Sequence, residues 1–128
     1  MNELKSKLLG TWYLKSFEFT VNGKTESHND AKGVSLFTHD DHFSVCLNQA
    51  ENPKYPYSEN LIKKYYSSGK FSIRDGSYFE ENIVHAFESR IGEKREVQVS
   101  FKGKDLIKEM NFHDGSKLMM TWTKETVS

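Results

Sequence analysis

The sequence predicts an all-β fold: a small antiparallel up-and-down β-barrel of about eight strands, with one short N-terminal helix. Three observations predict it. Glycines at 10, 23, 33, 69, 76, 92, 103 and 115 stand mostly beside Asn, Asp or Lys, as turn glycines do. Between them lie runs of 7–11 residues rich in Phe, Tyr, Val and Ile, the spacing of a meander. When the runs are paired through their turns, the apolar residues gather on one face.

Taken in order, residues 2–9 form a turn of helix and residues 57–65, after Pro53 and Pro56, form another. Strands are expected over 10–20, 26–38, 42–49, 66–74, 77–89, 93–102, 105–112 and 116–125. Asn22-Gly23, Asp75-Gly76 and Asp114-Gly115 are hairpin dipeptides, and Gly103-Lys104 suits a type II′ turn. Treating Arg74-Asp75-Gly76, Arg90-Ile91-Gly92 and His113-Asp114-Gly115 as three-residue loops ending in a left-handed glycine sets the register. Phe71 then faces Phe79, Tyr65 faces His85, Phe87 faces Arg95 and Met110 faces Leu118. The two-residue Gly103-Lys104 turn sets Phe101 against Leu106 and Val99 against Lys108. One face thereby collects Phe71, Ile73, Phe79, Ile83, Phe87, Val97, Val99, Phe101, Leu106, Met110, Phe112, Leu118, Met120 and Trp122. A sheet with one dry face removes its edges by closing.

Length and composition bound the function. The 128 residues allow one domain, 1–128, with one core. Eighteen basic and eighteen acidic residues cancel, which leaves no electrostatic footprint for nucleic acid or an anionic membrane. Mean hydropathy is −0.71, and the 13% of aromatic residues supplies a core that disordered chains lack. No apolar run reaches the roughly 18 residues of a membrane helix, and the charged start has no secretory h-region. The single Cys46 excludes an internal disulfide, and the expected setting is a reducing cytoplasm. No Walker A, G-x-G-x-x-G, G-x-S-x-G or H-E-x-x-H motif occurs, and no cofactor is expected. A monomer or a homodimer both fit.

Leu8-Leu9-Gly10-Thr11-Trp12-Tyr13-Leu14 resembles the G-x-W opening of the lipocalin and wider calycin group. Thr121-Trp122-Thr123-Lys124 resembles the closing strand, whose basic residue packs over the opening tryptophan. The chain from Leu8 to Lys124 resembles more closely the bacterial and fungal lipocalin-like domain family. Its order of motifs recurs here as His42-Phe43-Ser44-Val45, Tyr66-Ser67-Ser68-Gly69-Lys70-Phe71, Val84-His85 and Arg95-Glu96-Val97. Ala86 stands where the family often has a second histidine, and Lys124 where it has arginine. The resemblance implies the barrel and a Trp12–Lys124 cation–π contact closing its bottom, worth about 0.5–2 kcal/mol. It implies no particular ligand.

His85 is the most informative single residue, because the register places it on the apolar face between Ile83 and Phe87. Arg95 is its diagonal neighbour, and Tyr65 or Tyr66 approaches from the other side. A histidine, an arginine and a tyrosine in an apolar cup suit three roles. They form a hydrogen-bonded internal cluster, a ligand pocket, or an isomerase- or cyclase-type site in which His85 moves a proton; a filled barrel that acts only through its outer surface is the further alternative. The candidate ligand-binding residues are Tyr66, Phe71, His85, Phe87, Arg95, Val97, Met110 and Met120, around a small, largely apolar molecule. Glu81 and Lys108 share the inward face and are expected at a solvated rim. His39-Asp40-Asp41-His42 offers two imidazoles but no third ligand, so it reads as a turn and no metal is expected. Cys46 lacks a base and reads as structural.

Overall fold

A computed structural model describes residues 3–28, 32–48, 64–86, 88–111 and 115–124. After one short helix, α1 (Glu3–Leu8), come β1 (Gly10–Val21), β2 (Lys24–His28), β3 (Lys32–Phe37), β4 (His42–Asn48) and β5 (Lys64–Arg74). Then follow β6 (Ser77–His85), a 3₁₀ turn over Glu88–Arg90, β7 (Lys94–Lys102), β8 (Asp105–Asn111) and β9 (Lys117–Thr123). All pair antiparallel in one sheet of order β2-β1-β3-β4-β5-β6-β7-β8-β9, and β1 also pairs with β9. β2 and β3 share one edge of β1, along Phe17–Val21 and Gly10–Tyr13 respectively, so they fill a single strand position. The sheet is therefore a closed barrel of eight positions. The helix expected over 57–65 lies mostly outside the described residues; Lys64 and Tyr65 belong to β5 instead.

The lower end of the barrel is closed by α1. Lys5 Nζ donates to the His39 carbonyl at 2.9 Å and pairs with Asp41 at 2.7 Å, tying the helix to the β3–β4 turn. Leu8 is buried, and its carbonyl accepts the Trp12 indole N–H at 2.8 Å. Lys124 Nζ lies 4.9 Å from the centre of the Trp12 ring and donates to the Leu9 carbonyl. Inside, β1 contributes Trp12, Leu14, Phe17 and Phe19, with a bulge between Leu14 and Ser16. β3 and β4 add Phe37, Phe43, Val45 and Leu47, and β9 adds Leu118, Met120 and Trp122.

Two of the four expected registers hold. Gly103 alone takes a left-handed φ at its turn, and Phe101 faces Leu106 and Val99 faces Lys108. Across the β8–β9 connection Met110 faces Leu118 and Leu106 faces Trp122, while Phe112 lies outside the described residues. The β5–β6 hairpin differs. Asp75 and Gly76 are both left-handed, with φ of 52° and 80°, so the loop has two residues and Arg74 faces Ser77. Type I′ geometry matches the twist of the flanking strands, which favours it over the three-residue form. The shift of one residue turns Phe79 outward and Tyr78 and Glu80 inward, since side chains alternate along a strand.

A bulge between Ser68 and Gly69 then restores the phase, bringing His85 opposite Ser67 and leaving Ile83 exposed. At this bulge β6 passes tightly over Gly69: a Cβ there would stand 1.8 Å from the Glu81 carbonyl oxygen. The β6–β7 connection also departs from a simple hairpin. Gly92 and Glu93 bond to Asn82, and Glu80 faces Arg95. β6 continues to His85 beyond its last pair with β7, Glu81 opposite Lys94, and Phe87 lies outside the described residues.

Gly69→Ala is expected to destabilise the barrel by about 2–3 kcal/mol or more, because a backbone atom must move to admit the methyl group. Urea unfolding followed by tryptophan fluorescence measures it; an unchanged midpoint would mean that β5 and β6 do not approach as described.

Candidate ligand-binding interior

The register does not gather the expected trio. Arg95 faces Glu80, while His85 lies five residues farther along β6, roughly 16 Å of strand at about 3.3 Å per residue. Tyr66 is 46% exposed and shares an outward row with Val34 and Cys46. Its exclusion follows from alternation: Ser67 points in, so Tyr66 points out. The Tyr65 side chain and Phe87 lie outside the described residues. Of the other candidates, Phe71, Val97, Met110 and Met120 are buried and inward, as is His85.

The side chains that do converge are Tyr78, Glu80 and Lys108. Lys108 is 1% exposed and reaches across the barrel from β8 to set its ammonium 2.6 Å from Glu80 Oε2. The Tyr78 hydroxyl donates to the same oxygen at 2.7 Å. Both Lys108 and Glu81 were expected at a solvated rim. Lys108 is instead a core residue, held there by its register against Val99 and Met120. Glu81 faces outward, 4.0 Å from the exposed Lys94. Lysine is almost never fully buried unless paired, and here the pair is complete. Three rings add to it: the ammonium lies 5.6 Å from the centre of Tyr78, 5.7 Å from Phe37 and 5.8 Å from Phe43. Phe71 stacks on Tyr78 at 5.8 Å and meets Phe37 edge-on. Burial, and then the charge and hydrogen bond of Glu80, push the Tyr78 phenol well above its usual pKa of 10.0. Tyr78 therefore stays a neutral donor to the carboxylate.

Sequence reasoning missed this cluster because it read the β5–β6 loop as three residues. The signal was Asp75-Gly76 itself, the dipeptide that marks a two-residue type I′ turn.

Elsewhere in the interior, Arg95 is partly open, with a side chain 21% exposed, and pairs with Glu93. Its Nη1 lies 3.9 Å from Met110 Sδ. Asn82 is buried and donates to the Arg90 carbonyl, fastening the 3₁₀ turn over the β6–β7 connection. Among the described residues Trp122 Nε1 is buried without a hydrogen-bond partner.

On the outside, the Thr38–His42 turn has Asp41 left-handed and its Thr38 amide bonded to the His42 carbonyl. The hydroxyl of Thr38, and then His42, hold the Asp40 carboxyl below its usual pKa. Among the described residues no three His, Cys, Asp or Glu side chains gather as a metal site. A groove of about 620 Å³ runs along β5, β6 and β7, lined by outward residues and also by Phe71, Glu80 and Arg95; the Arg74 guanidinium lies over the Phe79 ring at 4.6 Å. Lys70 and Lys94 line it, but so do Glu81 and Glu96, so no charge dominates.

No family model matches this chain, and no curated protein matches it in sequence. Solved structures do. A redesigned β-barrel is 15% identical with a TM-score of 0.57, the match covering 98% of each chain. A biogenic amine-binding protein, solved as its selenomethionine derivative, is 16% identical with a TM-score of 0.53 over 98% of this chain and 67% of that one. The likeness lies in the barrel. No helix among the described residues is long and apolar enough to cross a membrane.

Tyr78→Phe removes a hydrogen bond to a buried charge, and the expected cost near neutral pH is about 1.5–3 kcal/mol. Below the ordinary phenol pKa of about 10 both folded and unfolded tyrosine are protonated, and this stability is fully present. Above it only the unfolded chain ionises, so the gap between wild type and Tyr78→Phe closes by up to about 1.4 kcal/mol per pH unit. Chemical denaturation from pH 8 to 11.5 checks it; a gap independent of pH would contradict a buried, neutral Tyr78.

Proposed function

We propose that this lipocalin-like barrel binds one small, largely apolar molecule in the upper part of its interior, away from α1, in a reducing cytoplasmic setting. The observation that carries the reading is Arg95. It stands at the upper end of β7, pointing inward, partly open to solvent and against Met110. Val97, Met110, Leu118 and Phe19 continue the wall below it, all of them buried and apolar. A cation at the boundary of an apolar wall suits an amphipathic guest whose acidic group exchanges with Glu93 for the guanidinium. Met110 and Met120 supply surface that adapts to the guest. The barrel fold shared with a ligand-binding protein is consistent with this reading. A proton-transfer enzyme built on His85, Arg95 and Tyr65 or Tyr66 draws no support from the register, which sets His85 apart from Arg95 and turns Tyr66 outward.

Decanoate and decanol differ only in the head group and serve as probes. Decanoate is expected to displace an apolar fluorophore saturably, at one site, and Arg95→Gln to weaken it about tenfold, equivalent to about 1.4 kcal/mol. Decanol is expected to be indifferent to the substitution. Competition fluorimetry reads both, and the absence of saturable binding by either probe would contradict the proposal.

A further inference from the structure

The ammonium of Lys108 is surrounded as a ligand would be. Its partners come from three strands other than its own: Phe37 from β3, Phe43 from β4, and Tyr78 and Glu80 from β6. One carboxylate oxygen accepts it at 2.6 Å, and three ring centres lie within about 6 Å, the reach of a cation–π contact. Tyr78 adds a second donor to the carboxylate, fixing its orientation. A carboxylate with aromatic faces around one primary ammonium is a complete recognition site for that group, and here it is sealed from water. Lys108 adds only the four-carbon tether.

We infer that the Phe37–Phe43–Tyr78–Glu80 box is an ammonium-binding site which the chain fills from within, and that Lys108 decides which guests the lower barrel accepts. While Lys108 stands there, a free amine finds the carboxylate taken. The tether gives the resident ammonium an effective concentration that no dissolved amine matches. Truncation at Cβ opens the site to a primary alkylamine. The missing atoms, Cγ, Cδ, Cε and Nζ, are those of n-propylammonium. The inference concerns a different ligand charge from the acidic guest proposed above; Glu80 and Arg95 are cross-strand neighbours, and the propylammonium test reads the Glu80 side alone.

The test is Lys108→Ala with n-propylammonium chloride as probe and 1-propanol as the uncharged control, read by thermal melting and titration calorimetry. The variant is expected to melt below wild type and to recover saturably with propylammonium, about tenfold more tightly than with propanol. Wild type is expected to show no such recovery, and Glu80→Gln added to Lys108→Ala to abolish it. If Lys108→Ala alone is unfolded, propylammonium is expected to restore its β-sheet circular dichroism. No recovery in the presence of the amine, or equal recovery with propanol, overturns the inference. Wild type offers a reading without any variant. Ring currents from three faces are expected to move the Lys108 ε-methylene protons upfield of those of lysines that lie over no ring; ordinary shifts there overturn the box.

Discussion

The ion pair between Lys108 and Glu80 stands in the lower core of a barrel, where charge is tolerated least. Removing two such ions from water costs several kcal/mol each, recovered only with close geometry and further hydrogen bonds. Both conditions depend on register. Glu80 points inward because the Asp75-Gly76 loop has two residues. Lys108 points inward because the Gly103-Lys104 turn sets it opposite Val99 and the β8–β9 connection sets it opposite Met120. A slip of one residue in β6 or β8 would leave one charge buried and the other in solvent. The pair thus penalises every alternative pairing of these strands, which apolar contacts alone do weakly.

The same pair divides the interior. Below and around it, Phe37, Phe43, Phe71, Tyr78, Trp12 and Trp122 pack into a filled core. Beyond it the inward groups of β8 and β9 are Met110 and Leu118, while Val97 and Arg95 stand directly across from Tyr78 and Glu80, with Arg95 partly open. A guest is therefore proposed for one end only. The closed end does structural work through the Trp12–Lys124 contact and the Lys5–Asp41 pair that holds α1 down.

Much of the fold was legible because turn chemistry is local. Glycine beside Asn, Asp or Lys marked the hairpins, and the turn at Gly103-Lys104 and the register expected across the β8–β9 connection gave the right partners for Phe101, Val99 and Met110. The site was legible only in part. Misjudging the Asp75-Gly76 loop by one residue sent Phe79 inward in place of Tyr78, and so hid Glu80. His85 was placed inward through two departures that cancel, the shorter loop and the bulge at Gly69. That bulge depends on how closely β6 crosses β5, a tertiary distance that no local pattern carries. Lys108 was sent to the rim by a sound rule about lysine, whose exception requires knowing its partner.

The central claim is that Lys108 and Glu80 stabilise the barrel as a coupled pair. A double-mutant cycle with Lys108→Met and Glu80→Gln, measured by urea unfolding, tests it most directly. Each single substitution is predicted to cost about 3–5 kcal/mol, since each leaves a partner buried and uncompensated. The double variant is predicted to cost well under the sum, with a coupling of at least about 2 kcal/mol. Additive losses would contradict the account, because they would mean that the two charges do not meet inside the folded protein.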